Sequence, residues 1–315
     1  MTSPRAPVVL VSPHKFKDLS PERDALGATN AEIVECASLA EFEQRAPEAD
    51  VVLASAVVPL NHQMLALLGN CKAIIRYGTG VNNVDLAAAA AAGIQVANVL
   101  DASVEEVANH ALALALALLR RLHPIHEETA RGRWPISAIR GTRRLSALTC
   151  GVVGVGRIGK ATATRFEALG CRVIASDPVL DSAPWPLVPL AELLERADVV
   201  TLHLPLTEDT RHLLGADELA SMRPGAFLIN VSRGGLVDEL ALAHRIQSGA
   251  LAGAGLDVFE DEPLGADHPL CSTAGVLLTP HIAWYSEEAS REMQVKVGQE
   301  AARALTGQPL ASPVV

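Results

Sequence analysis

Short apolar runs recur along the chain and alternate with segments whose apolar residues are spaced as on one face of a helix. Ten of these runs are predicted strands: Val8–Val11, Glu32–Val34, Val51–Ala54, Ala73–Ile75, Thr149–Val153, Arg172–Ser176, Val199–His203, Ala226–Asn230, Gly253–Asp257 and Val276–Thr279. Helices are predicted between strands of the second half: Gly159–Leu169, Pro189–Arg196 and Glu239–Ser248. Because most runs are apolar throughout, both faces of each sheet are expected to be covered by helices. The pattern therefore predicts an α/β protein with doubly wound parallel sheets.

Two longer helical patterns flank the clearer series of strands. The first, Ser103–Leu122, opens with the capping-box spacing Ser-x-x-Glu and is rich in Ala and Leu. The second begins at Ser286, has two glutamates in its first turn and runs to about Leu305. Between the first helix and the strand Thr149–Val153 lies Ala130–Leu145, which is rich in Arg, Gly and Pro and is predicted to be an irregular arm.

Composition narrows the class of protein. A chain of 315 residues with 49% hydrophobic and 20% charged residues is typical of a globular protein of about two domains. The net charge of −10, without a cluster of Lys and Arg, argues against binding nucleic acid. The longest apolar run, Ala111–Leu119, is too short to span a membrane. Five scattered cysteines without a CxxC pair, and a start without a signal-peptide pattern, predict reduced thiols, no metal site and a cytoplasmic location.

A glycine-rich turn carries the first chemical signal. Gly154-Val-Gly156-Arg-Ile-Gly159 follows a predicted strand and opens a predicted helix, and Asp177 ends the next strand. In this context the three glycines predict a tight turn, close approach of a pyrophosphate to the backbone, and close helix–strand packing. The Asp177 carboxylate can accept hydrogen bonds from ribose hydroxyls and would repel a 2′-phosphate. The motif therefore predicts a dinucleotide cofactor, NAD rather than NADP.

Four reactive side chains end predicted strands of the second half or lie within three residues after them: His203, Arg233, Asp257 and His281. Glu262 lies in the loop after Asp257. Ligands of open α/β sheets bind beyond the carboxyl ends of the strands, so these side chains are expected to meet in one cleft.

This set suits the reduction of a 2-oxo acid. An imidazole can donate the proton that the developing alkoxide needs, a neighbouring carboxylate can orient the ring, and a guanidinium can bind the substrate carboxylate. We therefore predict His281 as the acid/base, Glu262 as its partner and Arg233 as the carboxylate clamp. Taken singly, each has a plainer interpretation, namely a surface histidine, a solvated glutamate and a loop cation. Their joint placement at strand ends favours the catalytic interpretation.

Several stretches together resemble the D-isomer-specific 2-hydroxyacid dehydrogenase family over nearly the whole chain. Besides the glycine turn, they are Arg76–Asp85, Asn230–Asp238, Leu256–Pro263 and Thr279–Ala283. The resemblance implies a Rossmann NAD-binding domain, residues 101–286 with a dimerisation arm, inserted into a flavodoxin-like substrate domain, residues 1–100 and 287–315. It implies an NAD-dependent oxidoreductase that acts on a small 2-hydroxy or 2-oxo acid and forms a homodimer.

The resemblance also implies roles for individual residues. Asp257 would hold the nicotinamide carboxamide, and the backbone around Gly78–Gly80 would receive the substrate carboxylate. The expected cofactor-binding residues are Gly154, Gly156, Arg157, Ile158, Gly159, Asp177, His203, Pro205, Thr210, Val231, Ser232, Arg233, Asp257 and His281. The expected substrate-binding residues are Arg76, Tyr77, Gly78, Thr79, Gly80, Arg233, His281 and Trp284.

Within the family, Ala102–Glu106 and His281–Glu287 look most similar to the C-terminal-binding-protein branch, in which residues at the positions of Arg76 and Trp284 enter the substrate pocket. Trp284 could equally be a core or interface aromatic. Two other functions stay open at this point. One is an NAD-sensing interaction protein like the corepressors of that branch, and the other is a dehydrogenase of a phosphorus oxyacid such as phosphite.

Overall fold

The computed structural model describes residues 5–315, which divide into two compact units. The first unit comprises the chain up to Ser103 together with Ser286–Val315, and the second is Val104–Tyr285. Each unit contains one parallel β-sheet. Within residues 5–315 we find no helix with both the length and the apolar character needed to cross a bilayer.

The sheet of the first unit has the strand order β2-β1-β3-β4-β5, which is the flavodoxin-like order. Its strands are β1 (Val8–Val11), β2 (Glu32–Glu35), β3 (Val51–Ala54), β4 (Ala73–Arg76) and β5 (Gln95–Ala97). All neighbouring pairs are parallel, as predicted. The central strands β1, β3 and β4 are buried along their whole length, because helices cover both faces of the sheet.

Five helices belong to the first unit: α1 (Ser20–Leu26), α2 (Leu39–Arg45), α3 (His62–Leu67), α4 (Leu86–Ala91) and α12 (Glu287–Thr306). Side chains at the N-caps of α2, α3, α4 and α12 accept hydrogen bonds from main-chain N–H groups of the first turn; they are Ser38, Asn61, Asp85 and Ser286. The long helix predicted to begin at Ser286 is confirmed, with Ser286 as its cap.

Helices α1 and α12 approach each other closely where α12 carries a glycine. A Cβ atom on Gly298 would lie 2.8 Å from the Cβ of Ala25 and 3.0 Å from the Cα of Glu22. A larger residue at this position would therefore push the two helices apart. The close approach places Gln294 of α12 against the buried side chain of Glu22.

The sheet of the second unit has six parallel strands in the order β11-β10-β9-β8-β6-β7. They are β6 (Thr149–Val153), β7 (Arg172–Ser176), β8 (Val199–Leu202), β9 (Phe227–Asn230), β10 (Gly253–Leu256) and β11 (Val276–Leu278). Outside β7, Leu187 forms a single parallel bridge with Ala175. With this bridge counted as a third strand, the order begins as in the Rossmann fold. The ten predicted strands are confirmed to within one residue at each end.

The helices of the second unit are α5 (Val104–Leu119), α6 (Leu122–Ala130), α7 (Arg157–Ala168), α8 (Leu190–Arg196), α9 (Ala216–Ser221), α10 (Glu239–Gln247) and α11 (Pro269–Ser272). Helix α5 ends at Leu119, three residues before the predicted end, and the chain then continues into α6, which was not predicted. Arg121 adopts the left-handed conformation, with φ of 51°, and separates the two helices. The segment Ala130–Leu145 contains only one-turn 3₁₀ segments after α6, in agreement with the predicted irregular arm.

Alternate residues of each strand in the second unit face opposite sides of the sheet. Val153, Val200 and Leu228 pack into the core beneath α8, α9 and α10, whereas their neighbours Val152, Val199 and Ile229 pack into the core beneath α5 and α7. The carboxyl ends of all six strands lie along one edge of this doubly covered sheet, and the loops that follow them carry most of the predicted site residues.

Candidate active site

The glycine turn joins β6 to α7 in the second unit. Gly154 has φ of +88°, which favours glycine, and a Cβ on Gly159 would lie 1.9 Å from the carbonyl oxygen of Gly154. Gly156, at the N-cap of α7, differs from Gly154 and Gly159, because a Cβ atom on it would meet nothing within 4 Å. Two glycines of the motif are thus required by the fold itself. The third keeps open the space in front of the first amide groups of a 12-residue helix.

Asp177 follows β7 and is bonded to the glycine turn. Its Oδ2 atom accepts a hydrogen bond of 2.8 Å from the N–H of Val155, and its Oδ1 atom accepts one of 3.0 Å from the N–H of Val179. The carboxylate is half-buried and borders a cavity of about 480 Å³. The cavity is lined mostly by apolar side chains together with Ser176, Asp177 and Thr210; the apolar residues are Val153, Pro178, Leu187, Val188, Pro189, Leu190, Leu204 and Leu213.

His203 follows β8 beside the glycine turn. Its Nε2 atom lies 2.9 Å from the hydroxyl of Thr201, whereas its buried Nδ1 atom has no hydrogen-bond partner. Burial lowers the pKa of His203 to about 3, so the ring is neutral at physiological pH. In the loop that follows, the hydroxyl of Thr210 donates to the carbonyl of Pro205 at 2.8 Å and closes a turn.

The remaining predicted cofactor residues lie at the same edge. Arg157 is exposed and Ile158 half-buried at the start of α7, while Val231 is buried after β9. The hydroxyl of Ser232 donates to the carbonyl of Leu202 at 2.8 Å, which joins the loops after β8 and β9. Three features of this edge together fit a dinucleotide. They are the open N-terminus of α7, the apolar cavity with the carboxylate of Asp177 at its rim, and the buried Nδ1 atom of His203 without a hydrogen-bond partner.

His281 and Glu262 are in direct contact. The Nδ1 atom of His281 lies 2.7 Å from Oε2 of Glu262, and Oε1 of Glu262 accepts a hydrogen bond of 3.0 Å from the N–H of Phe259. Burial opposes ionisation of Glu262, but the hydrogen bonds from His281 and Phe259 hold its pKa below the ordinary value. The imidazole is 41% exposed.

Asp257 lies beneath the loop that carries His281. Its side chain is fully buried, and its two oxygens accept hydrogen bonds from the N–H groups of Ile282 at 3.0 Å and Ala283 at 2.8 Å. His281 itself has φ of 55°, a left-handed conformation that a histidine adopts at some cost. The buried carboxylate therefore helps to hold a strained loop. The predicted contact of Asp257 with the nicotinamide stays a prediction.

Arg233 follows β9, and its guanidinium donates to the carbonyl of Ser232 at 2.6 Å. Burial lowers the pKa of Arg233, and the charge of Glu262 opposes that shift, so the guanidinium remains protonated at neutral pH. The next residue, Gly234, brings the two loops together, because a Cβ on it would lie 1.8 Å from the carbonyl carbon of Phe259. The structure thus places Arg233, Glu262 and His281 on adjoining loops of one unit.

The predicted substrate residues of the first unit are largely bonded to their own loops. Arg76 is 7% exposed and donates from Nε to the side chain of Asn83 at 2.8 Å and from NH1 to the carbonyl of Tyr77 at 2.7 Å. The hydroxyl of Tyr77 donates to the buried carboxylate of Glu22 at 2.7 Å. After Tyr77 the chain turns at Gly78, with φ of +103°, and exposes Thr79 beside Gly80.

Trp284, the remaining predicted substrate residue, is half-buried in the second unit. Its ring meets Tyr285 edge-to-face at a centroid distance of 5.4 Å and packs against the core beneath α5 and α7. Its role in a substrate pocket stays a prediction. Among residues 5–315 we find no group of three or more His, Cys, Asp or Glu side chains arranged to hold a metal ion.

Residues 112–283 match the family model described as "D-isomer specific 2-hydroxyacid dehydrogenase, NAD binding domain". The match covers more than half of the 315-residue chain. The chain belongs to the D-isomer-specific 2-hydroxyacid dehydrogenase family. The doubly wound α/β fold predicted for this family is confirmed, but the more specific similarity to the C-terminal-binding-protein branch stays a prediction.

Two curated relatives and one solved structure show what the chain is similar to. It is 39% identical to a (S)-sulfolactate dehydrogenase of Chromohalobacter salexigens over 252 residues, which are 78% of this chain and 81% of that protein. It is 39% identical to the D-3-phosphoglycerate dehydrogenase of Mycobacterium tuberculosis over 267 residues, 83% of this chain. The chain spans about half the length of that relative, of which the match covers 50%. The solved structure is that of a D-lactate dehydrogenase of Aquifex aeolicus in complex with NAD and lactic acid. It matches this chain with a TM-score of 0.87 and 29% identity, and the match covers 98% of this chain and 99% of that one.

Sequence reasoning missed two side chains that contact the site. The hydroxyl of Thr279 donates to Asp257 at 2.5 Å, and His110 of α5 lies 2.9 Å from the same hydroxyl. The available signal was a single histidine inside the Ala- and Leu-rich stretch of α5. A polar side chain on an otherwise apolar helix face needs a partner, and here that partner is the network under His281.

Proposed function

We propose that this chain is an NAD-dependent oxidoreductase that transfers a hydride between nicotinamide and C2 of a small 2-hydroxy or 2-oxo acid. The observation that carries the proposal is the 2.7 Å pair of His281 and Glu262, on loops adjoining Arg233, in the unit that also contains the glycine turn. Membership of the 2-hydroxyacid dehydrogenase family supports the same activity.

The contacts define what each side chain does. An ionised Glu262 only accepts hydrogen bonds, so Nδ1 of His281 carries the hydrogen between them and Nε2 is the nitrogen that exchanges a proton with the substrate oxygen. In reduction the protonated ring donates from Nε2 to the oxygen on C2, and in oxidation the neutral ring accepts that proton. Arg233 pairs with the substrate carboxylate and polarises the carbonyl.

When bound, NADH would supply the hydride in reduction and NAD⁺ would accept it in oxidation. We place its pyrophosphate at the N-terminus of α7, where Gly156 leaves the amide groups open, and its adenosine in the 480 Å³ cavity beside Asp177. The Asp177 carboxylate, already bonded to Val155 and Val179, would face the ribose hydroxyls and disfavour a 2′-phosphate.

Gly156→Ala tests cofactor binding separately from turnover. Since the added methyl group enters open space, the melting temperature should stay within about 2 °C of wild type, while the Kd for NADH in a fluorescence titration should rise at least about tenfold. Gly69→Ala is the matched control, because its Cβ also meets nothing and it lies in the other unit. An unchanged Kd in Gly156→Ala would contradict the proposed pyrophosphate site.

A spectrophotometric screen of NADH oxidation tests the reaction. The two relatives are named for 2-hydroxy acids that carry an anionic group on C3. The panel therefore includes 3-phosphohydroxypyruvate and 3-sulfopyruvate beside glyoxylate, hydroxypyruvate, phenylpyruvate and 4-methylthio-2-oxobutanoate. Turnover with at least one 2-oxo acid is expected. Turnover with phosphite and NAD alone, or with no acid at all, would replace the proposal by one of the two alternatives from the sequence.

We also propose that the chain forms a homodimer through its arm, residues 130–145, and that it acts in the cytoplasm. Trp134 is 79% exposed, and Ile136 and Ile139 are exposed beside it, which is unusual for an isolated surface. We propose that a second copy of the chain buries these three side chains. Trp134→Ser should shift the mass measured by light scattering from dimer to monomer, and a wild-type protein that is already monomeric would refute the dimer.

A further inference from the structure

His110 is the one histidine of α5, and its imidazole is turned towards the loops after β10 and β11. Its Nε2 atom lies 2.9 Å from the hydroxyl of Thr279 and 3.6 Å from Oδ1 of Asp257. The ring is 22% exposed, whereas the carboxylate it approaches is fully buried. Three segments that are far apart in the sequence thus meet in one polar contact inside the second unit.

The direction of the hydrogen bonds follows from their chemistry. The Thr279 hydroxyl, 2.5 Å from Oδ1 of Asp257, must donate its only hydrogen to the carboxylate, which can only accept. The oxygen of Thr279 is then left to accept from Nε2 of His110, so this nitrogen carries a hydrogen. The order is His110 to Thr279 to Asp257.

Asp257 connects this series of hydrogen bonds to the backbone around His281. The same Oδ1 atom accepts from the N–H of Ile282 and Oδ2 accepts from the N–H of Ala283, so the carboxylate bonds the two residues that follow His281. The N–H of His281 donates to the carbonyl of Asp257 at 2.8 Å. The backbone of His281, with φ of 55°, is therefore held on both sides by one residue.

We propose that His110 is a positioning residue for the reaction: through Thr279 it fixes the carboxylate of Asp257 and thereby the direction in which His281 presents Nε2 to the substrate. The inference rests on the proposed dehydrogenase function. A misplacement of an acid/base group by about 1 Å costs up to a hundredfold in rate, so loss of the contact has a measurable effect on turnover even if His110 never touches the substrate.

The kinetic test compares two substitutions at one position. His110→Leu removes the donor and should lower kcat by about ten- to a hundredfold while the Kd for NADH stays within about twofold. His110→Gln places an amide N–H near the position of Nε2 and should restore kcat to within about threefold of wild type. His123→Leu, on the exposed surface of α6, is the matched control and should leave kcat unchanged.

Thr279→Val separates positioning from simple packing. If the two side chains act in series, the double variant His110→Leu/Thr279→Val should be no slower than the slower single variant. Independent, multiplicative losses would overturn the proposal. It would also be overturned if His110→Leu kept wild-type kcat, or if His110→Gln were as slow as His110→Leu, since a donor at this position would then be irrelevant.

A measurement without turnover distinguishes failure of this inference from failure of the proposed function. In the wild-type chain, the ¹⁵N chemical shifts of the His110 imidazole should show hydrogen on Nε2, and in Thr279→Val they should change. The ¹⁵N shifts of the His281 ring should differ between wild type and His110→Leu but not between wild type and His110→Gln. A His110 ring with hydrogen on Nδ1 alone would overturn the inference whether or not any 2-oxo acid is a substrate.

Discussion

The carboxyl edges of the two sheets differ in the exposure of two predicted site residues, Arg76 in the first unit and His281 in the second. In the first unit, Arg76 and Tyr77 are buried, and their polar atoms contact Asn83, main-chain carbonyls and Glu22. In the second unit, His281 is 41% exposed and Gly156 leaves open space before a helix. Both sheets are parallel, but Arg76 is the last residue of strand β4, whereas His281 lies in the loop after β11. Substitutions at the first edge should therefore change mainly stability, and those at the second mainly chemistry.

The largest effect is expected at the second edge. His281→Asn removes the proton donor, so kcat for reduction of a 2-oxo acid should fall on the order of 10³-fold, because general acid catalysis contributes at this level. The Kd for NADH and the free energy of unfolding, from titration and urea denaturation, should stay near wild type. A large loss of stability would break the comparison, and unchanged kcat would remove His281 from the mechanism.

A smaller but clear effect is expected from Arg76→Met at the first edge. This substitution leaves the carbonyl of Tyr77 and the side chain of Asn83 without their buried donor, and should lower the free energy of unfolding by about 2–4 kcal/mol. Lys72→Met, on the exposed surface before the same strand, is the control. An Arg76→Met variant of wild-type stability that has lost only substrate affinity would favour the predicted substrate role over the structural one.

The smallest effect is a pH dependence at Glu22. Burial raises the pKa of Glu22, and the hydrogen bond from Tyr77 only partly offsets it. An acid whose pKa is raised by folding contributes stability below its ordinary pKa and loses it as the pH rises through the folded value. Glu22→Gln removes this loss. Its free energy of unfolding relative to wild type should therefore increase between pH 4.5 and pH 8. A pH-independent difference would show that folding does not raise the pKa of Glu22.

The strands were predictable from the sequence because parallel strands with both faces covered are continuous apolar runs. The exceptions are short. Strand β5 has three residues and begins with Gln95, and the Leu187 bridge is a single residue, so neither produces a run. Helix α6 was missed because the break at Arg121 depends on a left-handed backbone conformation, and the polar sequence after it lacks an apolar stripe.

For the candidate site, the sequence showed which residues lie at strand ends but not which side chains contact each other. The glycine turn and Asp177 could be placed because their spacing is tied to one strand–turn–helix unit. The 2.7 Å contact joins His281 and Glu262, which are 19 positions apart on two different loops, and only the structure shows it. The same holds for His110, whose partners lie more than 140 residues away.

The single bridge at Leu187 has a practical consequence. Ala175 of β7 exchanges two hydrogen bonds with this segment, to the carbonyl of Pro186 and from the N–H of Val188, and the rest of 178–187 is free of ladder pairing with β7. A loop therefore forms part of the wall of the cavity beside Asp177, and its length is not fixed by pairing with a strand. Grafting a different loop between Pro178 and Leu187 offers a route to redesigned nucleotide preference that leaves the six-stranded scaffold intact.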